Sequence, residues 1–270
     1  MEEIKNILSL SICNALGEVL AASTPPSPAT GRAVLLYDAE YQPGDRICVA
    51  VPHAGYYVLC LEDTMGEAFV YMNGAPFALD IPFEEGRISY NPRAFLLERH
   101  YLTIRPATAE EISRPRNLAL NPYDCHGSLS CFPHARANVE TRGESVFAAR
   151  NAIDGVVYPW CHGRYPFASW GINQNPDATW QIDFGRPVRA DKLILTLRAD
   201  YPHDAWWTQA TLTFDDGETR RLPLEKTPEG QIFPLEGRIL TGFTLSALIK
   251  ADDPSPFPAL TQVELWGENI

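Results

Sequence analysis

In the second half of the chain, apolar side chains return at every second position, and this pattern restricts the fold more than any other feature. Trp180, Ile182 and Phe184 share one face of an extended segment, while Gln181 and Asp183 share the other. Leu193, Leu195 and Leu197 repeat the pattern, as do Ala210, Leu212 and Phe214, and then Val263 and Leu265. A period of two marks a strand with one buried face. Such a face needs a second layer to cover it, so several in succession predict two antiparallel sheets packed as a sandwich. Asp215-Asp216-Gly217 supplies a tight hairpin turn within the series.

The first half predicts the same class from shorter elements. Strand-like runs at 32–37, 45–51, 56–62, 68–72 and 96–105 are separated by Pro43-Gly44-Asp45, Pro52-His53-Ala54-Gly55 and Asn73-Gly74. Short runs with regular Gly and Pro punctuation suit a sandwich or jelly roll. Residues 1–22 fit either a helical face (Ile4, Leu8, Ile12, Ala15, Leu16, Val19) or strand alternation (Leu8, Leu10, Ile12). A polar, proline-marked stretch at 106–115 divides the chain. The expected fold class is therefore all-β: a β-sandwich of unassigned role at 1–114 and a second β-sandwich at 115–270.

With 270 residues, 45% of them hydrophobic, the chain has enough apolar sequence for two cores. Its 23 prolines suit a turn-rich all-β protein. A net charge of -12 repels phosphate backbones and anionic lipid, so neither nucleic acid nor membrane is an expected partner. The same charge also serves simple solubility. Met1-Glu2-Glu3 is acidic where a secretory signal is basic, and Glu18 interrupts the later apolar stretch. The expectation is a cytoplasmic protein, with secretion left open. The six cysteines, at 13, 48, 60, 125, 131 and 161, form no CxxC pair and read as reduced thiols.

Four short signatures follow one another in the second half: Ala149-Arg150-Asn151-Ala152-Ile153-Asp154-Gly155, Trp180-Gln181-Ile182-Asp183-Phe184-Gly185, Phe214-Asp215-Asp216-Gly217 and Val263-Glu264-Leu265-Trp266-Gly267. Together they resemble the discoidin-like, or coagulation-factor-5/8 type C, domain, a galactose-binding-like β-sandwich. The resemblance covers roughly residues 137–267. It implies a scaffold that displays ligands, in many members sugars, from loops at one end. It also implies a structural Ca²⁺ held with the help of Asp154 and Glu264, since hard Ca²⁺ takes carboxylate and carbonyl oxygens. Asp154 holding its own turn without metal, and Glu264 as a solvated strand residue, stay open beside that reading. The stretch after Gly155 is longer than the family's, which leaves the family's own contact positions unassigned.

Two loops hold residues that suit sugars. The first is 156–175, with His162, Arg164, Trp170 and Asn173; the second is 200–207, with His203, Asp204 and Trp207. A flat aromatic takes the C–H face of a sugar ring, and hydrogen-bonding side chains take its hydroxyls. The Arg164 fork can grip vicinal hydroxyls or a carboxylate. Trp206 is in phase with Ala210, Leu212 and Phe214 and is expected in the core; Trp207 has the opposite phase and is expected to face outward as a platform. Trp170 serves equally as a plug for the end of the sandwich. His162 and Arg164 read as either site residues or tethers of their loop.

The chain lacks Gly-x-Ser-x-Gly, Walker A, Gly-x-Gly-x-x-Gly and His-Glu-x-x-His patterns. The acidic pairs Glu84-Glu85, Asp215-Asp216 and Asp252-Asp253 sit beside Gly or Pro and read as solvated turns. Cys125-His126, Cys131, His134 and Cys161-His162 could converge on zinc, but no pair has the spacing of a zinc knuckle. The sequence thus points to a non-catalytic carbohydrate-binding protein whose partner is a mono- or oligosaccharide. The alternatives are an interaction module that forms homo-oligomers, or a glycan-processing hydrolase with its site between the domains.

Overall fold

The computed structural model describes residues 7–158, 163–199 and 205–270. The chain opens with β1 (Ser9–Cys13), β2 (Val19–Ala22), β3 (Ala33–Tyr37), β4 (Arg46–Ala50), β5 (Gly55–Cys60), β6 (Ala68–Met72), β7 (Phe77–Asp80) and β8 (His100–Pro106). The ambiguity over the first residues is resolved in favour of strands: Leu10 and Ile12 of β1 are fully buried. One sheet has the order β2-β1-β4-β7, and the facing sheet includes β6-β5-β8-β3. Leu10, Ile12, Ile47, Val49 and Leu79 of the first sheet meet Leu35, Leu59, Val70, Leu102 and Ile104 of the second in one core. Apolar alternation on both inner faces makes this a sandwich.

The chain then passes through helix α1 (Ala109–Ser113), whose first turn is closed by a capping box between Thr108 and Glu111. The following segment serves both halves of the molecule. β9 (Arg116–Asn117) pairs with the last strand, β10 (Cys131–Phe132) pairs back onto β6, and β11 (His134–Ala137) pairs forward onto residues 180–183. Between them Tyr123 enters the first core, where its hydroxyl accepts from Leu61 N and Glu62 N and donates to Gly66 O at 2.6 Å. The first sandwich is therefore completed by residues that follow it in sequence.

The remaining strands are β12 (Trp170–Gly171), β13 (Trp180–Leu197), β14 (Trp207–Phe214), β15 (Thr219–Pro223), β16 (Gln231–Lys250) and β17 (Ala259–Asn269). Among the described residues they form one sheet of order β12-β17-β13-β16-β14-β15. β13 and β16 are long because each turns a corner. Residues 180–183 of β13 pair with β11 and with 242–245 of β16, whereas 188–197 pair with β17 and the first half of β16. The sheet folds over itself and closes on Trp180, Ile182, Phe184, Leu193, Leu195, Leu212, Phe243 and Val263. Gly185 makes the corner: its φ is +66°, Asp183 Oδ1 accepts its N–H at 2.7 Å, and a Cβ there would meet the Phe132 ring at 2.5 Å.

Polar contacts join the two sandwiches. Buried Arg186 donates to Phe184 O and to Asn269 Oδ1, both at 2.7 Å, and lies 5.0 and 5.2 Å from the Tyr56 and Tyr71 rings. Arg116 stacks 3.5 Å over Phe69. Glu85, expected in a solvated turn, accepts from Ser145 N at 2.8 Å across the same boundary. Asp215 also departs from that expectation, since its Oδ2 accepts from both Thr241 N and Thr241 Oγ1. Among the described residues no helix is long and apolar enough to cross a membrane.

Candidate functional site

The loops at one end of the folded sheet enclose a hollow of about 240 Å³. β12 pairs with β17 through Trp170 to Leu260 and Gly171 to Ala259, which sets the turn after Gly171 beside Phe257 and Pro258. The third wall is the loop carrying Thr141, Arg142 and Phe147. Thr141 Oγ1 accepts from Asn173 N at 2.9 Å and ties two of these walls together. Gly171 is required at the junction, because a Cβ would come within 2.6 Å of Thr141 Oγ1 and 3.1 Å of the Phe147 ring.

Two aromatics and a set of hydrogen-bonding groups line this hollow. Phe147 stands on one side and exposed Phe257 on the other. Asn173 and Gln174 take consecutive left-handed backbone conformations, with φ of 49° and 57°, and present their amides at the exposed rim. Strain of this kind collects where a loop positions groups for a ligand. Arg142 is held by a fork-to-fork pair with Glu144 at 2.5 and 2.8 Å, 5.5 Å from the Phe147 ring. Arg198 lines the inner wall at the end of β13, where it donates to Phe167 O. Ser169 is fully buried, and its hydroxyl has no hydrogen-bond partner among the described residues. A buried hydroxyl left in that state calls for a ligand or a water. A second hollow of about 550 Å³ adjoins the first and shares Ile172, Gln174 and Pro258 with it.

The sequence-derived candidates divide. Asn173 belongs to the hollow, and Arg164 is exposed. His162, His203 and Asp204 lie outside the described residues. Trp170 is corrected from ligand contact to core: it is fully buried, and its Nε1 donates to Val139 O at 2.9 Å. Trp207 is corrected as well. It is 1% exposed and packs 6.3 Å from Trp170, whereas Trp206 is the half-buried one of the pair. The register between β14 and β16 shifts between Trp207 and Gln209, and one extra residue reverses which side chains face the core.

Both carboxylates of the metal reading accept hydrogen bonds from within the protein. Asp154 and Glu264 line two hollows that share Gly155. Glu264 Oε2 accepts from Trp266 Nε1 at 2.7 Å, and Asp154 Oδ1 accepts from Val156 N at 2.8 Å. Burial pushes the Asp154 carboxyl up to about 7, against the pull of the Val156 N–H and Arg150. Of the zinc candidates, Cys161 and His162 lie outside the described residues. His126 is engaged by Glu140 and His134 by Asp124, and no group of three or more ligating side chains gathers among the described residues.

Arg142, Phe147, Ser169, Gln174, Arg198 and Phe257 were not singled out by the sequence. Only Phe257 carried a usable signal, an aromatic set between Pro256 and Pro258 in a loop.

Fold and hollow together define an all-β protein with a ligand-sized recess among the end loops of its second sandwich. No protein-family model matches the chain. No curated protein matches it. Among solved structures it is similar to a mutant of the lectin-binding domain of Lectinolysin complexed with Lewis b, at 15% identity and a TM-score of 0.41 over 58% of this chain and 99% of that one. It is also similar to chitosan-binding module 1 of a chitosanase/glucanase from Paenibacillus sp. IK-5, at 16% identity and a TM-score of 0.39 over 56% and 99% of the two chains. A third is the family 32 carbohydrate-binding module from C. perfringens NanJ in complex with galactose, at 13% identity and a TM-score of 0.37 over 49% and 91%.

Proposed function

We propose that this chain is a carbohydrate-binding protein, non-catalytic, that holds a sugar in the recess between Phe147 and Phe257. The observation that carries the reading is the pairing of aromatic walls with amide and guanidinium groups around one small hollow, with an unpartnered Ser169 hydroxyl beside it. A sugar ring offers a C–H face for Phe257 and hydroxyls for Asn173, Gln174 and Arg142. The adjoining hollow, reached past Gln174 and Pro258, gives room for further units of an oligosaccharide.

Calorimetric titration and a glycan array test this directly. Phe257→Ala and Asn173→Ala are expected each to weaken binding of a responding sugar by about tenfold, the loss of roughly 1.4 kcal/mol. Folded variants that bind every glycan as the parent does would remove the recess as the site. Absence of binding to any neutral glycan would remove the function.

A further inference from the structure

We infer that the cleft between the two sandwiches holds a second site, distinct from the sugar recess, which takes a small molecule bearing a carboxylate. A hollow of about 180 Å³ opens there between Thr64, Ser89 and Tyr90 of the first sandwich and Arg150, Asp154 and Tyr165 of the second. Arg150 is the deciding group. It is 7% exposed, its Nη2 donates to Ser89 Oγ at 2.7 Å, and its guanidinium lies 4.1 Å from the Tyr90 ring. Among the described residues no carboxylate lies within ion-pair distance of it, although other arginines of this chain are paired: Arg105 with Glu111, Arg142 with Glu144, Arg238 with Asp216 and Glu218.

A guanidinium this buried is costly unless a counter-charge meets it. Asp124, Glu140 and Asp154 act on it through space without an ion-pair contact, so its fork, made for a planar two-oxygen acceptor, meets none among the described residues. The surrounding hydroxyls of Ser89, Tyr90 and Tyr165 add donors that a carboxylate can use. Asp154 shares the hollow, and burial favours its neutral form, which donates to an incoming anion. Because each sandwich contributes half of the lining, an occupant would bind only where both are folded and docked.

The test uses the full chain at pH 6, titrated with sodium glucuronate and, as the neutral counterpart, glucose, with sodium chloride at matched ionic strength as the blank. Glucuronate is expected to raise Tm with concentration and to give a saturable calorimetric signal. Arg150→Gln is expected to weaken that binding at least about tenfold, as loss of a charge-assisted fork does. Ser89→Asp is the second variant: it places a carboxylate beside Nη2, satisfies Arg150 from within, and is expected to abolish the response in a folded protein. Phe257→Ala is expected to leave the response intact, which separates this site from the sugar recess. Failure of glucuronate to act on the parent chain, or a folded Ser89→Asp chain that responds as the parent does, overturns the proposal; a response abolished by Phe257→Ala assigns it to the recess and overturns it as well.

Discussion

At the residue scale, burial decides what each candidate side chain can do. Trp207 and Trp170 sit together inside the second core, so their energetic role is packing. Trp207→Ala is expected to destabilise the protein by about 3–5 kcal/mol, read as a lower urea midpoint. Trp207→Phe keeps most of the packing and removes an indole N–H that has no partner among the described residues, so it is expected to cost far less. Asp154 gives a pH-dependent test. Its folded pKa, raised to about 7, lies above the ordinary carboxylate value, so the folded state keeps a proton that the unfolded state releases near pH 4. The resulting stability is present below that pH and is lost as pH rises through 7. Asp154→Asn, which keeps an acceptor for Val156 N, is expected to match the parent at low pH and to exceed it by roughly 1 kcal/mol or more at pH 8. Thermal scans of both chains from acid to pH 8 check this; parallel curves would contradict it.

At the element scale, corners and bulges carry the information that alternation lacks. β13 reads in the sequence as two separate apolar patterns, 180–184 and 193–197, and both are buried as expected. That they belong to one bent strand follows from Gly185, whose positive φ and contact with Phe132 admit no side chain. Gly185→Ala is expected to cost about 1–3 kcal/mol, through left-handed strain and overpacking against the ring. Equilibrium unfolding measures it, and a cost within experimental error would show that the corner can relax. The shift in β14 teaches the opposite lesson. One extra residue between Trp207 and Gln209 put the wrong tryptophan outside, and no property of that stretch of sequence marks the slip.

At the scale of the whole molecule, the two sandwiches share chain. β10 extends the β6-β5-β8-β3 sheet, Tyr123 and Cys131 complete the first core, and Arg186 and Arg116 are stacked across the boundary. A fragment of residues 1–114 would lack all three contributions from the later chain. It is expected to lose the cooperative melt of the full protein, whereas a fragment of residues 1–133 regains part of it. Circular dichroism melts of both fragments decide; a fully cooperative melt of the shorter one would refute the dependence. The same interleaving builds the cleft around Arg150, since Ser89 and Tyr90 reach it only when the sandwiches are docked.

The sequence by itself determined the class of structure. Strand alternation, Gly and Pro turns and the Asp215-Asp216-Gly217 hairpin are local, and each strand buries its apolar face because water drives it to do so. It also picked out Asn173, which lines the hollow beside Phe147 and Phe257. Tertiary structure alone decided which tryptophan faces the core, and that Arg142, Phe147, Arg198 and Phe257 meet in one hollow. Those outcomes depend on register and on contacts between residues far apart in the chain. A one-residue shift or a bent strand changes them without altering any local pattern.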